Sequence, residues 1–271
     1  MNYWPDYHVH TSRCGHAAGE MKEYVEYAIK LGIKEMGFAD HIPMYWLDEG
    51  QRDPGLAMPE EQLPEYVAQV LRLQETYKET ITIKLGLEVD YIPGCEDKAR
   101  RIIDAYPFDY VLGSVHHIDG WGFDNPAYLE QYRHININDL YHKYFTRFQA
   151  AARSGLFDIM AHPDLVKKFN YRPSKNIRQL YIDTARVLKE SGVCLEVNAA
   201  GLRAPVCEIY PAPEFLAVCC QYGVPVTLGS DAHAPDQVGY RFDWVRDILV
   251  QSGYTGLATF EQRKRGPGWP V

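Results

Sequence analysis

Ten histidines occur in the 271 residues, and seven of them stand where short apolar runs end. His8 and His10 lie on the first run, with His16 just after it. His41 closes the second run, His116 the fourth and His162 the fifth, while Glu88 ends the third and Asp231 and His233 the seventh. Imidazole and carboxylate together suit Zn²⁺, Fe²⁺ or Mn²⁺, and no thiolate belongs to the set. For any single histidine, a core or surface residue satisfied by one hydrogen bond is the plainer explanation. For seven in one register that explanation needs a repeated coincidence. Nine candidate ligands exceed the about four to six positions around one ion, so more than one metal is implied.

The elements that must position these groups are legible as an alternation. Strands are expected at Tyr7–His10, Glu35–Asp40, Ile83–Asp90, Tyr110–His116, Asp158–His162, Cys194–Asn198 and Pro225–Asp231. Helices are expected at Glu20–Leu31, stopped by Gly32, and at Tyr66–Lys78, with Val67, Val70 and Leu71 on one stripe. Others follow at Glu96–Ala105, Asp139–Arg153, Lys175–Ser191, Pro213–Tyr222 and Asp243–Ser252. Such alternation implies parallel βα units, hence a barrel or a doubly wound sheet. In a parallel barrel every C-terminal strand end opens on one face, which would gather the nine candidates. His8 and His10, two apart on a strand, point the same way; Asp231 and His233 share that spacing if their strand continues. No repeat, low-complexity tract or linker divides the chain, so one domain over 1–271 is expected. The irregular stretches Ile42–Pro59 and His117–Asn136 carry Pro, Gly and aromatics and suit loops over a site.

Composition narrows the partners. With 28 Lys and Arg against 36 Asp and Glu the formal charge is −8, which argues against nucleic acid or an anionic membrane as the main partner. No stretch approaches the ~18–20 uninterrupted apolar residues of a membrane span. Met1–Asp6 lacks the basic and apolar regions of a signal peptide. The cysteines at 14, 95, 194, 207, 219 and 220 include no Cys-x-x-Cys pair, which excludes a structural zinc finger. Adjacent Cys219 and Cys220 read as buried small hydrophobes, and a reduced, cytoplasmic setting is expected.

Six segments carry a family resemblance: His8-Val9-His10-Thr11-Ser12, Ala39-Asp40-His41, Gly86-Leu87-Glu88-Val89-Asp90-Tyr91, Gly113-Ser114-Val115-His116-His117, Ala161-His162-Pro163 and Ser230-Asp231-Ala232-His233. In order and placement they resemble the motifs of the polymerase-and-histidinol-phosphatase (PHP) superfamily, from residue 8 to residue 233. The run Glu196-Val197-Asn198-Ala199-Ala200-Gly201-Leu202-Arg203 is similar to the monofunctional histidinol-phosphate phosphatases of that superfamily. The resemblance implies a distorted (β/α)7 TIM-like barrel, three divalent metal ions and hydrolysis of L-histidinol phosphate in histidine biosynthesis. It also implies a ligand set: His8, His10, Glu88 and Asp231 for one ion; bridging Glu88 with His116 and His162 for a second; His16, His41 and His233 for the third. Asp40 has no ligand role in that scheme and is expected to orient a ligand. Of the remaining histidines, His134 and His142 read as solvated surface, while His117 is a candidate to face the substrate.

Phosphate-ester hydrolysis follows from the chemistry of such a set. Three divalent ions against two carboxylates leave a positive site that attracts a phosphate dianion and lowers the pKa of bound water. The expected mechanism is direct attack on phosphorus by a metal-bridging hydroxide, without a phosphoenzyme. Arg203 and the ions would stabilise the equatorial oxygens, and Asp231 or His233 would carry the proton to the leaving alkoxide. Arg203, after the sixth strand, is the stronger phosphate candidate, because a guanidinium fits two oxygens at once. Lys168 is the second, from the basic run Lys167, Lys168, Arg172, Lys175 and Arg178. Carboxylates and aromatic walls for a cationic leaving group could come from Asp48, Glu49, Tyr45 and Trp46 or from Asp119, Asp124, Trp121 and Phe123.

Rival chemistries find less support. Cys95 and Arg101 match a Cys-x5-Arg pattern, but acidic residues replace the glycines of a phosphate cradle. Gly120-Trp121-Gly122 and Gly229-Ser230-Asp231 complete no dinucleotide or serine-hydrolase motif. A relative acting on another phosphoester, nucleases included, is the alternative; the acidic charge lowers the nuclease option. A non-catalytic metal-binding module is the third reading, and the complete ligand set argues against it.

Overall fold

Seven short strands pair in chain order, each parallel to the next: β1 (Asp6–Val9), β2 (Glu35–Phe38), β3 (Thr82–Asp90), β4 (Tyr110–Ser114), β5 (Ile159–Met160), β6 (Cys194–Asn198) and β7 (Val226–Gly229). This is a computed structural model, and it describes residues 4–271; the part of the N-terminal reading that falls on Met1–Tyr3 lies outside them. The sheet ends meet, because Val9 bridges Ala232 in parallel, with His10 N donating to Ala232 O at 2.9 Å. The result is a distorted (β/α)7 TIM-like barrel.

Among the described residues the seven outer α-helices are α1 (Met21–Leu31), α2 (Leu63–Tyr77), α3 (Glu96–Asp104), α4 (Ile137–Arg153), α5 (Arg178–Ser191), α6 (Pro213–Gln221) and α7 (Phe242–Gln251). α1 shows the local logic. Met21, Tyr24, Val25 and Ala28 are its buried face, Glu20 and Glu23 form a capping box, and Gly32 at φ 80° ends it. Among the described residues no helix is long and apolar enough to cross a membrane.

Two apolar layers hold the barrel. The larger lies between strands and helices; the smaller fills the barrel and includes Tyr7, Tyr110, Leu112, Ile159 and Phe260. Tyr110 needs glycine neighbours: a Cβ on Gly37 would stand 2.2 Å from its hydroxyl and one on Gly86 2.3 Å from its ring. That hydroxyl donates to Tyr7 O at 2.7 Å.

Three departures from the expected elements bear on the barrel and its site. β5 is two residues long, and β7 stops at Gly229. Asp231 and His233 are therefore not on a continuing strand; Asp231 follows it at φ 53°. The segment after α7, for which no element was expected, makes two small antiparallel pairs, Gly256–Leu257 with Trp269–Pro270 and Phe260–Glu261 with Lys264–Arg265. It closes the N-terminal end of the barrel, where Ala258 N donates to Val226 O at 2.7 Å and Phe260 N to the Tyr7 hydroxyl at 3.2 Å. Cys219 is buried as expected, whereas Cys220 is only half-buried.

Candidate metal centre

At the C-terminal mouth, strand ends bring the nine candidates together from across the chain. His8 is on β1 and His10 one residue beyond it, with ring centroids 5.0 Å apart. Glu88, on β3 and 1% exposed, is the hub. Its Oε2 lies 3.3 Å from His8 Nε2, 3.5 Å from His10 Nε2 and 3.0 Å from His41 Nδ1. Its Oε1 lies 2.8 Å from His162 Nε2 and 3.7 Å from His116 Nε2. Asp231 Oδ1 approaches His10 Nε2 at 3.2 Å and His8 Nε2 at 3.9 Å. His16, His41 and His233 form a third group, with one ligand atom of each within 4.8 Å of the others. His41 touches both neighbourhoods, since it is also grouped with His10 and Glu88.

Most of these rings are held by their other nitrogen. Glu196 Oε1 takes His8 Nδ1 at 2.6 Å and Asp90 Oδ1 takes His116 Nδ1 at 2.9 Å, whereas Asp40 Oδ1 faces His10 Nδ1 at 3.5 Å, an ion-pair distance without a hydrogen bond. His16 Nδ1 lies 3.0 Å from the Gly55 carbonyl, and His233 Nδ1 3.1 Å from Asp231 O. Asp40 thus stands where an orienting group was expected. The roles of Glu196 and Asp90 were missed, although an acidic residue inside an apolar strand, as in Cys194-Leu195-Glu196-Val197-Asn198, is a usable signal.

The donor atoms fit metal. Among the described residues His8 Nε2, His10 Nε2, Glu88 Oε2 and His233 Nε2 are buried without a hydrogen-bond partner, an arrangement that is unfavourable unless cations complete it. Electrostatics agree. Burial would push Glu88 up, but His41, His8 and His162 hold its carboxyl well below the ordinary range, and His8, His10 and His233 do the same for Asp231. Against burial, Glu196, Asp231 and Glu88 raise His8 well above its usual value, and Asp231 and Asp40 lift His10 to about 9. Asp90 and Asp124 likewise lift His116 to about 10. A site that draws protons this strongly draws divalent cations by the same field. By contrast burial and His10 push His233 down to about 2, so it stays a neutral donor.

Above the cluster opens a cavity of about 1090 Å³, lined by His16, His41, Glu88, His116, His162, Asp231 and His233. His117 and Lys168 also line it, as do Trp46, Trp121, Asp119 and Asp124; Asp48 and Glu49 are exposed and away from it. His134 and His142 are exposed. Lys168 Nζ pairs with Asp124 Oδ2 at 3.2 Å. The rest of the basic run does not line the cavity, so Lys168 is its one member at the site. Lys167 is buried between Asp164 at 3.1 Å and Glu208 at 2.9 Å; Arg172 pairs with Glu208 and Arg178 with Glu214. Arg203 is not among the lining residues either. Its Nη2 donates at 2.9 Å to the carbonyls of Ser230 and Asp231, its guanidinium lies over Tyr240, and Nη1 is buried without a partner.

Fold and donor cluster together define a metal-binding α/β barrel. The model of the PHP domain matches residues 6–200, and the chain belongs to the PHP domain family. A probable histidinol-phosphatase of Deinococcus radiodurans is 40% identical over 97% of this chain and 98% of its own length. The histidinol-phosphatase of Bacillus subtilis is 30% identical over 88% of this chain and 96% of its own. A crystal structure of histidinol phosphate phosphatase from Lactococcus lactis, complexed with zinc, L-histidinol and phosphate, has a TM-score of 0.83 at 24% identity, covering 97% of this chain and 99% of that one. That likeness speaks to the fold.

Proposed function

We propose that this chain is a metal-dependent histidinol-phosphatase, a single phosphoesterase domain that hydrolyses L-histidinol phosphate to L-histidinol and phosphate. The observation that carries the reading is the buried, ionised Glu88 with five imidazoles within 3.7 Å of its oxygens, in a chain 40% identical end to end to a probable histidinol-phosphatase. His8, His10, Glu88 and Asp231 would hold one ion, Glu88, His116 and His162 a second, and His16, His41 and His233 a third, from among Zn²⁺, Fe²⁺ and Mn²⁺. Bound there, such ions supply positive charge to the phosphoryl group and ionise water near neutral pH.

The protein's own groups do the rest. Lys168 and His117 meet the phosphate from the cavity wall. Arg203 does not line the cavity; its part is to hold the backbone around Asp231 through Nη2, and the unpartnered Nη1 is the one group it can lend the phosphate. Asp231, kept ionised by its imidazole neighbours, takes the proton of the attacking water and returns it to the alkoxide oxygen as the P–O bond breaks, while His233, held neutral, carries no proton in this step. Trp46, Trp121, Asp119 and Asp124 give a cationic leaving group aromatic and acidic walls. A small-molecule substrate and a cytoplasmic setting suit the −8 charge and the cysteine spacing.

Phosphate release from histidinol phosphate, a mononucleotide and single-stranded DNA tests the reading. Turnover of histidinol phosphate well above the other two is expected. Preference for the mononucleotide or for DNA moves the chain to another phosphoesterase activity, and no release from any makes it a binding module.

A further inference from the structure

The loop 44–57 forms one wall of the cavity through Met44, Trp46, Leu47, Asp53 and Ala57, and it meets the imidazole triad at one corner. There His16 Nδ1 lies 3.0 Å from Gly55 O and 3.0 Å from Cys14 O. Carbonyls only accept, so Nδ1 carries the proton and Nε2 keeps its lone pair. The same corner packs backbone on backbone. Gly15 has φ 83°, and a Cβ there would stand 2.1 Å from Pro54 O and 2.6 Å from Gly55 Cα. Asp53 Oδ1 accepts from Gly55 N at 2.8 Å, closing the turn that presents the Gly55 carbonyl. His16 is also the exposed member of its triad, which consists of imidazoles alone, without the charge that Glu88 and Asp231 lend the other groups.

We infer that Gly55 O, held by Asp53, positions His16, so that metal occupancy of the His16–His41–His233 site and docking of the loop 44–57 are one coupled equilibrium. The inference rests on the reading of that triad as a metal site. Coupling of this kind is reciprocal: an ion that needs His16 in this orientation favours the docked loop, and the docked loop raises the ion's affinity by the same factor. The ions held with carboxylates lie outside the coupling. The wall that meets the substrate is thereby set by the last ion to bind.

Zn²⁺ titrated into metal-stripped protein tests this, with metal content per chain and hydrogen exchange of the 44–58 peptides read at each equivalent. The two tighter equivalents are expected to leave loop exchange unchanged, and the third to slow it about tenfold or more. Asp53→Ala should weaken the third equivalent about tenfold and spare the first two, in line with loss of a group that orients a ligating histidine. Asp53→Asn, which keeps the Oδ1 acceptor, should restore it, and Gly15→Ala, which drives a methyl at Pro54 O, should reproduce the weakening. A third equivalent that binds without slowing the loop, loop protection that arrives with the first or second, or parental third-site affinity in both Asp53→Ala and Gly15→Ala overturns the coupling. A titration that ends at two equivalents overturns instead the reading of the triad as a metal site.

Discussion

His8 and Glu196 stand 188 positions apart and form a buried pair, Nδ1 to Oε1 at 2.6 Å. The other Glu196 oxygen accepts from His162 N at 2.5 Å and from Asn198 Nδ2 at 3.0 Å. One carboxylate therefore sets the ring of His8 and the backbone of His162, which is held at φ 24°, a strained value for a non-glycine residue. Two strand ends across the barrel are tied by this group.

Glu196→Gln keeps the shape and replaces one acceptor by a donor. Metal affinity should fall about 10–100-fold with circular dichroism unchanged. Chelator competition checks this, and parental affinity would remove Glu196 from any role in the centre.

Glu88→Gln should lose at least one metal equivalent and slow turnover by several orders of magnitude. Only a carboxylate offers two charged oxygens, one to the His8, His10 and His41 side and one to the His162 and His116 side. A surface-type ion pair would contribute only ~0–1 kcal/mol. Metal content and kcat together decide; parental values of both mean that Glu88 bridges nothing.

Arg203→Ala removes both the brace on the Ser230 and Asp231 carbonyls and the free Nη1. A loss of about 2–4 kcal/mol in kcat/KM is expected. If kcat/KM stays within about twofold of the parent, under ~0.5 kcal/mol, the phosphate role is wrong.

Glu35 and Tyr7 give a prediction about stability. Burial raises the Glu35 carboxyl, even though the Tyr7 hydroxyl donates to it. Glu35 thus holds its proton more tightly folded than unfolded, so its contribution is present at low pH and is lost as pH rises from the ordinary carboxylate range through the raised value. Glu35→Gln should raise Tm at pH 8 more than at pH 5. Tyr7→Phe, which leaves Glu35 and Phe260 N without their partner, should cost about 1–3 kcal/mol. Thermal melts of both variants at the two pH values check the sign.

Legibility in the sequence followed the range of the interaction. α3 begins at Glu96 and α6 at Pro213, as expected, because an acidic first turn, proline placement and a buried stripe act within a few residues. β6 matches its expected span, whereas β5 shrinks to Ile159–Met160 because His162 leaves the strand at a positive φ. That only Lys168 of the basic run lines the cavity was hidden for a comparable reason. The run's neutralising partners, Glu208 and Glu214, lie some 36 positions away and meet it only once the loops after β5 and β6 pack together.

What the sequence alone determined is the donor inventory and the order of its supports. Seven histidines, Glu88 and Asp231 at the ends of successive apolar runs already imply a shared face, since parallel strands must all point their C-terminal ends one way. Only the tertiary structure decided how that inventory is divided and oriented. His41 reaches Glu88 as well as His16 and His233, and Glu196, Asp90 and the Gly55 carbonyl choose which nitrogen each partner histidine presents. Those choices are hydrogen bonds between side chains or loops far apart in the chain. Periodicity and spacing carry no record of them, because a single ring nitrogen turned toward or away from its acceptor leaves the local pattern of apolar and polar residues unchanged.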